Sequence, residues 1–235
     1  MEKTIFYLVK IFDELTYAEQ FVGGKLFANS LSYFRRLEDS EANRGDSHEG
    51  VVTWIQPEKA NLEIYGIPVP QGDLAGPISV KMNWHDSLNV FCIYAAHSGN
   101  FNTITSDNIA DFRKHLEIPD ECLKLGKHAV VITNVSEFVR RVQDTARENE
   151  FGFACSLVDY YDPSEFHGSF DQTEAVFKKR SEYSHQKEYR FAFNSFSNDR
   201  KPLIIDVGDL NDIATLCDVN TVNQLLEIKL ESHAE

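Results

Sequence analysis

Short apolar runs rich in β-branched and aromatic residues recur along the whole chain, with no regular alternation of strand and helix. That order points away from a doubly wound parallel sheet, which needs a crossover helix between its strands. Strands are predicted at Ile5–Phe12 (IFYLVKIF), Lys25–Ala28, Val51–Ile55, Asn61–Tyr65, Ser87–Ala96 and His128–Thr133. Further strands are predicted at Gly152–Tyr160, Tyr189–Phe193, Leu203–Val207 and Glu227–Leu230, with Asn211–Leu226 irregular or helical. Helical signals are few. Thr16 is positioned to cap a short helix through Phe21, stopped by Gly23-Gly24, and Ser30 starts a turn carrying Leu31, Phe34 and Leu37 inward. Asp107 caps a helix through His115. Ser136 caps the clearest one, Glu137–Asn149, whose Phe138, Val139, Val142 and Ala146 recur near 3.6 spacing. The stretch GIPVPQGDLAGP reads as a turn region. The predicted fold is α+β: a single domain over residues 1–235, with a bent or split, antiparallel-rich sheet and a few short helices.

Composition limits the partners. Acidic residues number 37 against 23 basic ones, a formal charge of −14. Duplex nucleic acid is bound by cations that displace condensed counterions, and the longest basic block is Lys178-Lys179-Arg180. Such a charge also repels anionic membranes. The four cysteines are far apart and the histidines show no HxH, HxxxH or HExxH spacing, so no local metal site is predicted. The start MEKT lacks an apolar leader, and no run approaches the ~20 apolar residues of a membrane span. A cytoplasmic protein is expected. The phosphate-loop patterns GxGxxG and GxxxxGK[ST] are both missing from the sequence.

Two segments are more polar than folding requires. The first runs from Tyr33-Phe34-Arg35-Arg36 to Arg44-Gly45-Asp46-Ser47-His48-Glu49-Gly50, and sets Glu38, Asp39, Glu41, Asp46 and Glu49 beside three arginines. Planar guanidinium groups hold phosphate oxygens bidentately, so Arg35, Arg36 and Arg44 are candidate diphosphate ligands. A self-satisfied salt-bridge loop is the alternative. The second surrounds Gln186-Lys187-Glu188-Tyr189-Arg190-Phe191. On a strand with Tyr189, Phe191 and Phe193 facing one side, Glu188 and Arg190 share the other, within ion-pair reach. There Glu188 suits bonding to a ribose hydroxyl or stabilising developing positive charge, and the alternative is a solvated pair on an exposed edge.

The arrangement Lys10, Gly24-Lys25-Leu26, Tyr33-Phe34-Arg35, Glu38-Asp39, Arg44-Gly45-Asp46, Glu49-Gly50, Phe91-Cys92 and Gln186-Lys187-Glu188-Tyr189-Arg190 resembles a bacterial and phage family. That family carries a closing (Q/E)-x-E-Y-R signature, and Gly208–Ile213 (GDLNDI) also fits it. Its motifs mark membership and name no reaction. More distantly, the order of first strand, short helix, Gly-Lys-Leu turn, aromatic segment and late strand with Glu resembles the ADP-ribosyltransferase plan. This resemblance implies NAD as cofactor, Lys10 contacting the ribose, Tyr33 stacked on nicotinamide and Glu188 supporting an oxocarbenium-like transition state. Lys10 stands where that superfamily usually has His or Arg. Arg190 joins the candidate NAD-binding set.

Other schemes are weaker. Ser47-His48 and Ser184-His185 are neighbours without a G-x-S-x-G elbow, Cys155 reads as core, and the ExK of Glu227-Ile228-Lys229 follows from simple strand alternation. The primary expectation is an NAD-using, ADP-ribosyltransferase-like protein of toxin or phage-conflict type, with a nucleotide or NAD-like small molecule as partner. The alternative is a non-catalytic nucleotide-binding or protein-binding inhibitor.

Overall fold

The computed structural model describes residues 3–37 and 45–229. In chain order the first half contains β1 (Ile5–Phe12), α1 (Leu15–Val22), β2 (Lys25–Ser30), α2 (Leu31–Leu37), β3 (Val51–Ile55), β4 (Leu62–Ile64), β5 (Ile67–Val69), β6 (Ile78–Lys81) and β7 (Asn89–His97). Then follow α3 (Ile109–Leu116), α4 (Asp120–Leu123), β8 (His128–Ile132), α5 (Val135–Glu148), β9 (Gly152–Leu157) and β10 (Asp159–Tyr161). The chain continues with β11 (Gly168–Ser169), β12 (Lys178–Arg180), β13 (Glu188–Asn194), β14 (Leu203–Asp206) and β15 (Ala214–Asp218). The architecture is α+β, with a large antiparallel sheet and few, short helices.

The main sheet runs β14-β2-β7-β1-β8-β15, with β13 and β9 branching from β7. β7 is the hub. One of its edges carries β13 from Asn89 to Tyr94. The other edge is shared: β2 pairs only with Asn89 and Val90, and β1 pairs from Tyr94 onward. Between them the sheet splits, leaving Phe91, Cys92 and Ile93 with no strand on that side among the described residues.

Alternation along the central strands feeds two larger cores and a smaller cluster of Leu31, Leu88, Val90, Val176 and Ala192. On one face Leu8, Phe91, Ile93, Ala95 and Phe191 pack with Phe21 of α1 and Phe138, Val142 and Ala146 of α5. On the other Val9, Tyr94, Ala96 and Ala129 pack with Phe112 and Leu116 of α3 and Cys122 of α4. Burying a phenylalanine fully contributes about 1.5–3 kcal/mol, and Phe21, Phe138 and Phe191 meet at ring separations of 5.6–6.0 Å. The turn from α1 into β2 needs a glycine. Gly24 has φ +94°, and a Cβ there would lie 2.2 Å from the Gly208 carbonyl oxygen.

Several local expectations shift. The final strand is Ala214–Asp218, inside the stretch read as irregular or helical, and it pairs with the free edge of β8. The alternating LEIKLE run forms no strand over its described residues. Leu226 and Ile228 pack against the second core from irregular chain, and Leu230 lies outside the described residues. The α1 cap is Glu14 rather than Thr16, and Asn108 rather than Asp107 precedes α3. α5 starts earlier than read, because the Asn134 side chain accepts from the Glu137 amide at 3.1 Å. The Pro- and Gly-rich stretch holds β5, joined to β4 by a Tyr65-Gly66 turn with both φ values positive. No helix among the described residues is long and apolar enough to cross a membrane.

Candidate functional site

The split in the sheet opens into a cavity of about 660 Å³, within the size range of small-molecule sites. Its walls come from β1, α1, β2, α2, β7, α4, β12, β13 and β14, elements spread over most of the chain. Lys10, Tyr33, Glu188 and Arg190 all line it. Arg35 and Arg36 do not, and Arg44, like Glu38, Asp39 and Glu41, lies outside the described residues.

Lys10 reaches across the split. Its Nζ donates to the Cys92 carbonyl at 2.6 Å, the acceptor that a paired strand would otherwise satisfy, and sits 4.9 Å from the centre of the Phe91 ring. Tyr33 follows from the start of α2. The Ser30 hydroxyl accepts from the Tyr33 amide at 3.3 Å, and the ring stands edge-on to Phe34 at the cavity wall.

On the opposite wall β13 pairs Glu188 with Tyr94 and Arg190 with Cys92, so these four side chains share one face. β13 is central, flanked by β7 and β9. The Glu188–Arg190 pair is therefore buried, not solvated on an edge. Arg190 Nε donates to Glu188 Oε1 at 2.6 Å, and its two terminal nitrogens grip Glu49 at 2.8 and 2.9 Å. Lys179 sits between the carboxylates, 3.4 Å from Glu49 and 3.4 Å from Glu188, and donates to Gln186 at 2.8 Å. The backbone is bent to start this strand. Lys187 adopts φ +38°, and its carbonyl accepts from the Ala95 amide at 2.9 Å. A left-handed non-glycine residue next to a buried carboxylate is the kind of strain found at functional sites.

The electrostatics follow from this packing. Burial alone pushes the Glu188 carboxyl up, but the Arg190 and Lys179 charges and the Arg190 hydrogen bond outweigh it and hold the group well below the usual carboxylate range. Glu188 is thus an ionised acceptor at neutral pH. Burial, followed by the Glu188 charge, pushes the Cys92 thiol up to about 12, which makes it unreactive. Among the described residues, the charged side chains lining the cavity are Lys10, Lys25, Lys179 and Arg190 with Asp13, Glu49 and Glu188.

The loop before β3 supplies Glu49 and is fixed from behind. Asp46 accepts from Arg180 at 2.9 and 3.1 Å and from the His48 amide at 2.8 Å. Arg35 donates to the Glu49 carbonyl at 2.7 Å and pairs with Asp86. Arg35 therefore shapes the loop that presents Glu49, and it lies off the cavity lining. Lys179 and Glu49 were not among the residues singled out as ligands from the sequence. The signal for Lys179 was period two: within Lys178-Lys179-Arg180 the middle side chain turns inward.

Comparison of the chain with family profiles, with curated proteins and with solved structures finds no match.

Proposed function

We propose that the cavity in the split sheet binds an NAD-like dinucleotide and that the chain is an ADP-ribosyltransferase-like protein of toxin or phage-conflict type. The observation that carries this reading is convergence. Lys10 on the first strand, Tyr33 after the second and Glu188 at the start of a late strand line one hollow of suitable size. In the proposed reaction the bond from ribose C1′ to the nicotinamide nitrogen breaks, and nicotinamide leaves with the bonding pair. The acceptor's lone pair then bonds C1′, and its proton passes to solvent. Ionised Glu188 accepts from a ribose hydroxyl and stabilises the developing cation, Lys10 faces the anionic part of the ligand, and Tyr33 offers a ring face. The four cysteines are unbridged, which suits a reducing cytoplasm as the working compartment.

Calorimetric titration with NAD, paired with chromatographic detection of released nicotinamide, tests the reading. Binding by the native chain, with turnover lost in Tyr33→Ala and weakened in Lys10→Met, is the expected result. No heat at millimolar NAD would refute it. A second reading is favoured by one observation: both oxygens of Glu188 already face cations of the chain itself. On that reading the cavity belongs to a non-catalytic nucleotide-binding or protein-binding inhibitor, and NAD binding without nicotinamide release would select a nucleotide binder.

A further inference from the structure

The β2–β14 ribbon has one face that the fold uses and one that it does not. Leu26, Ala28 and Ile205 point into the core. On the other face Phe27 and Ile204, direct cross-strand partners, are 56% and 63% exposed. Tyr17 of α1 is 59% exposed, and all three line the same hollow as Lys10 and Glu188. Large apolar side chains gathered from three elements and left in water mark a binding surface. Lys25, Asn29 and Gln20 line the same hollow and set polar groups around this apolar area.

We propose that Phe27, Ile204 and Tyr17 form a stacking subsite for the purine ring at the far end of the bound dinucleotide. This rests on the reading of the cavity as a dinucleotide site and adds what selects the complete ligand over its nicotinamide half. The size of the platform decides the occupant. A protein partner requires about 800 Å² from each side, whereas three side chains match a single ring system. Exposed Asp13, Glu14 and Glu19 flank Tyr17 in a chain of charge −14, which disfavours a nucleic-acid polymer or an anionic membrane surface over a small ligand. A flat heteroaromatic ring gains from apolar and aromatic faces whatever its exact identity, and its edge nitrogens meet the Lys25, Asn29 and Gln20 side chains.

The test compares dissociation constants of NAD, nicotinamide mononucleotide and adenosine monophosphate for the native chain and for the double variant Phe27→Thr, Ile204→Thr. Threonine keeps the strand preference at these exposed positions, and an unchanged melting temperature confirms the fold. The native chain should bind NAD about tenfold or more tighter than the mononucleotide, ~1.4 kcal/mol. The double variant should erase that gap, lose adenosine monophosphate and leave the mononucleotide constant unchanged. A gap that survives the double substitution, or NAD and mononucleotide weakened equally, overturns the subsite while the cavity reading stands. Adenosine monophosphate bound through Phe27 and Ile204 with no affinity for the mononucleotide overturns the dinucleotide reading and keeps the purine platform. Absence of binding by all three overturns both.

Discussion

Replacing Arg190 with Met removes the hub of the buried charge network while roughly keeping its volume. In the native chain two cations, Arg190 and Lys179, balance two carboxylates, Glu49 and Glu188, and all four are buried. The substitution leaves two carboxylates against one lysine in a place that water scarcely reaches, and takes from the Val176 carbonyl the donor it has at 2.5 Å. Removing one partner of a buried ion pair costs about 3–5 kcal/mol, a large part of a total stability of about 5–15 kcal/mol. For a chain of this length that corresponds to a fall of about 6–20 °C in melting temperature. Urea unfolding and calorimetry would read it, and Glu49→Gln, alone and combined, completes a double-mutant cycle. The sign of the pH effect follows from Glu188. Its folded carboxyl titrates below the ordinary 4.5, so its stabilisation is present above that value and is lost as pH falls below it toward the folded value. The gap between native and Arg190→Met should therefore narrow from pH 7 to pH 3. A loss under ~1 kcal/mol, or additive effects in the cycle, would show that the four groups are not a unit. It would also free Glu188 to be substituted without regard to folding.

Two other expectations concern the site's supports. Burial, then the neighbouring Glu49, pushes the Asp46 carboxyl up from 3.8 to about 6, against the opposing pull of the His48 amide, Arg180 and Lys179. Asp46 thus favours the fold below its ordinary value, and that contribution is lost as pH rises through about 6. Denaturant titrations from pH 4 to 8 should show Asp46→Asn gaining on the native chain as pH rises, by an amount on the order of 2–3 kcal/mol; a constant difference would refute this. Gly24→Ala places a Cβ against the Gly208 backbone at a left-handed position and should cost on the order of 1–3 kcal/mol in thermal unfolding. A neutral result would mean that the β2–β14 junction yields easily.

Much of the frame was legible because its signals are local. The IFYLVKIF run, the SLNVFCIYAA run and the 3.6-period face of Phe138, Val142 and Ala146 each state their own period. The alternation YRFAF also put Glu188 and Arg190 on one face, where they meet at 2.6 Å. Pairing was not local. Nothing within ATLCD distinguishes it from LEIKLE as a strand. What decides is the edge of β8, open to Ala214–Asp218 because the Ile213 carbonyl already accepts from the Thr133 amide. Caps moved by one or two residues for a similar reason: Asn134 reaches the Glu137 amide, and Ser136, already within α5, is not its cap. At the site, the mixture of arginines and carboxylates between Arg35 and Glu49 signalled a self-satisfying loop as strongly as a ligand clamp. Arg35 gives Nε to the Glu49 carbonyl and Nη1 to Asp86, a choice fixed by the distant segment holding Asp86. The inward turn of Lys179 depended likewise on β12 pairing with β10.

The divergence of β1 and β2 from β7 gives the sheet an interior border. Unclaimed backbone along such a border is an invitation to any foreign extended segment, the first step of runaway cross-chain association. An inward-pointing lysine is a common guard against that intrusion, and Lys10, with its ammonium lodged on the Cys92 oxygen, occupies the register that an intruder would need first. The same side chain that would greet a small anionic guest thus also keeps a neighbour's strand out.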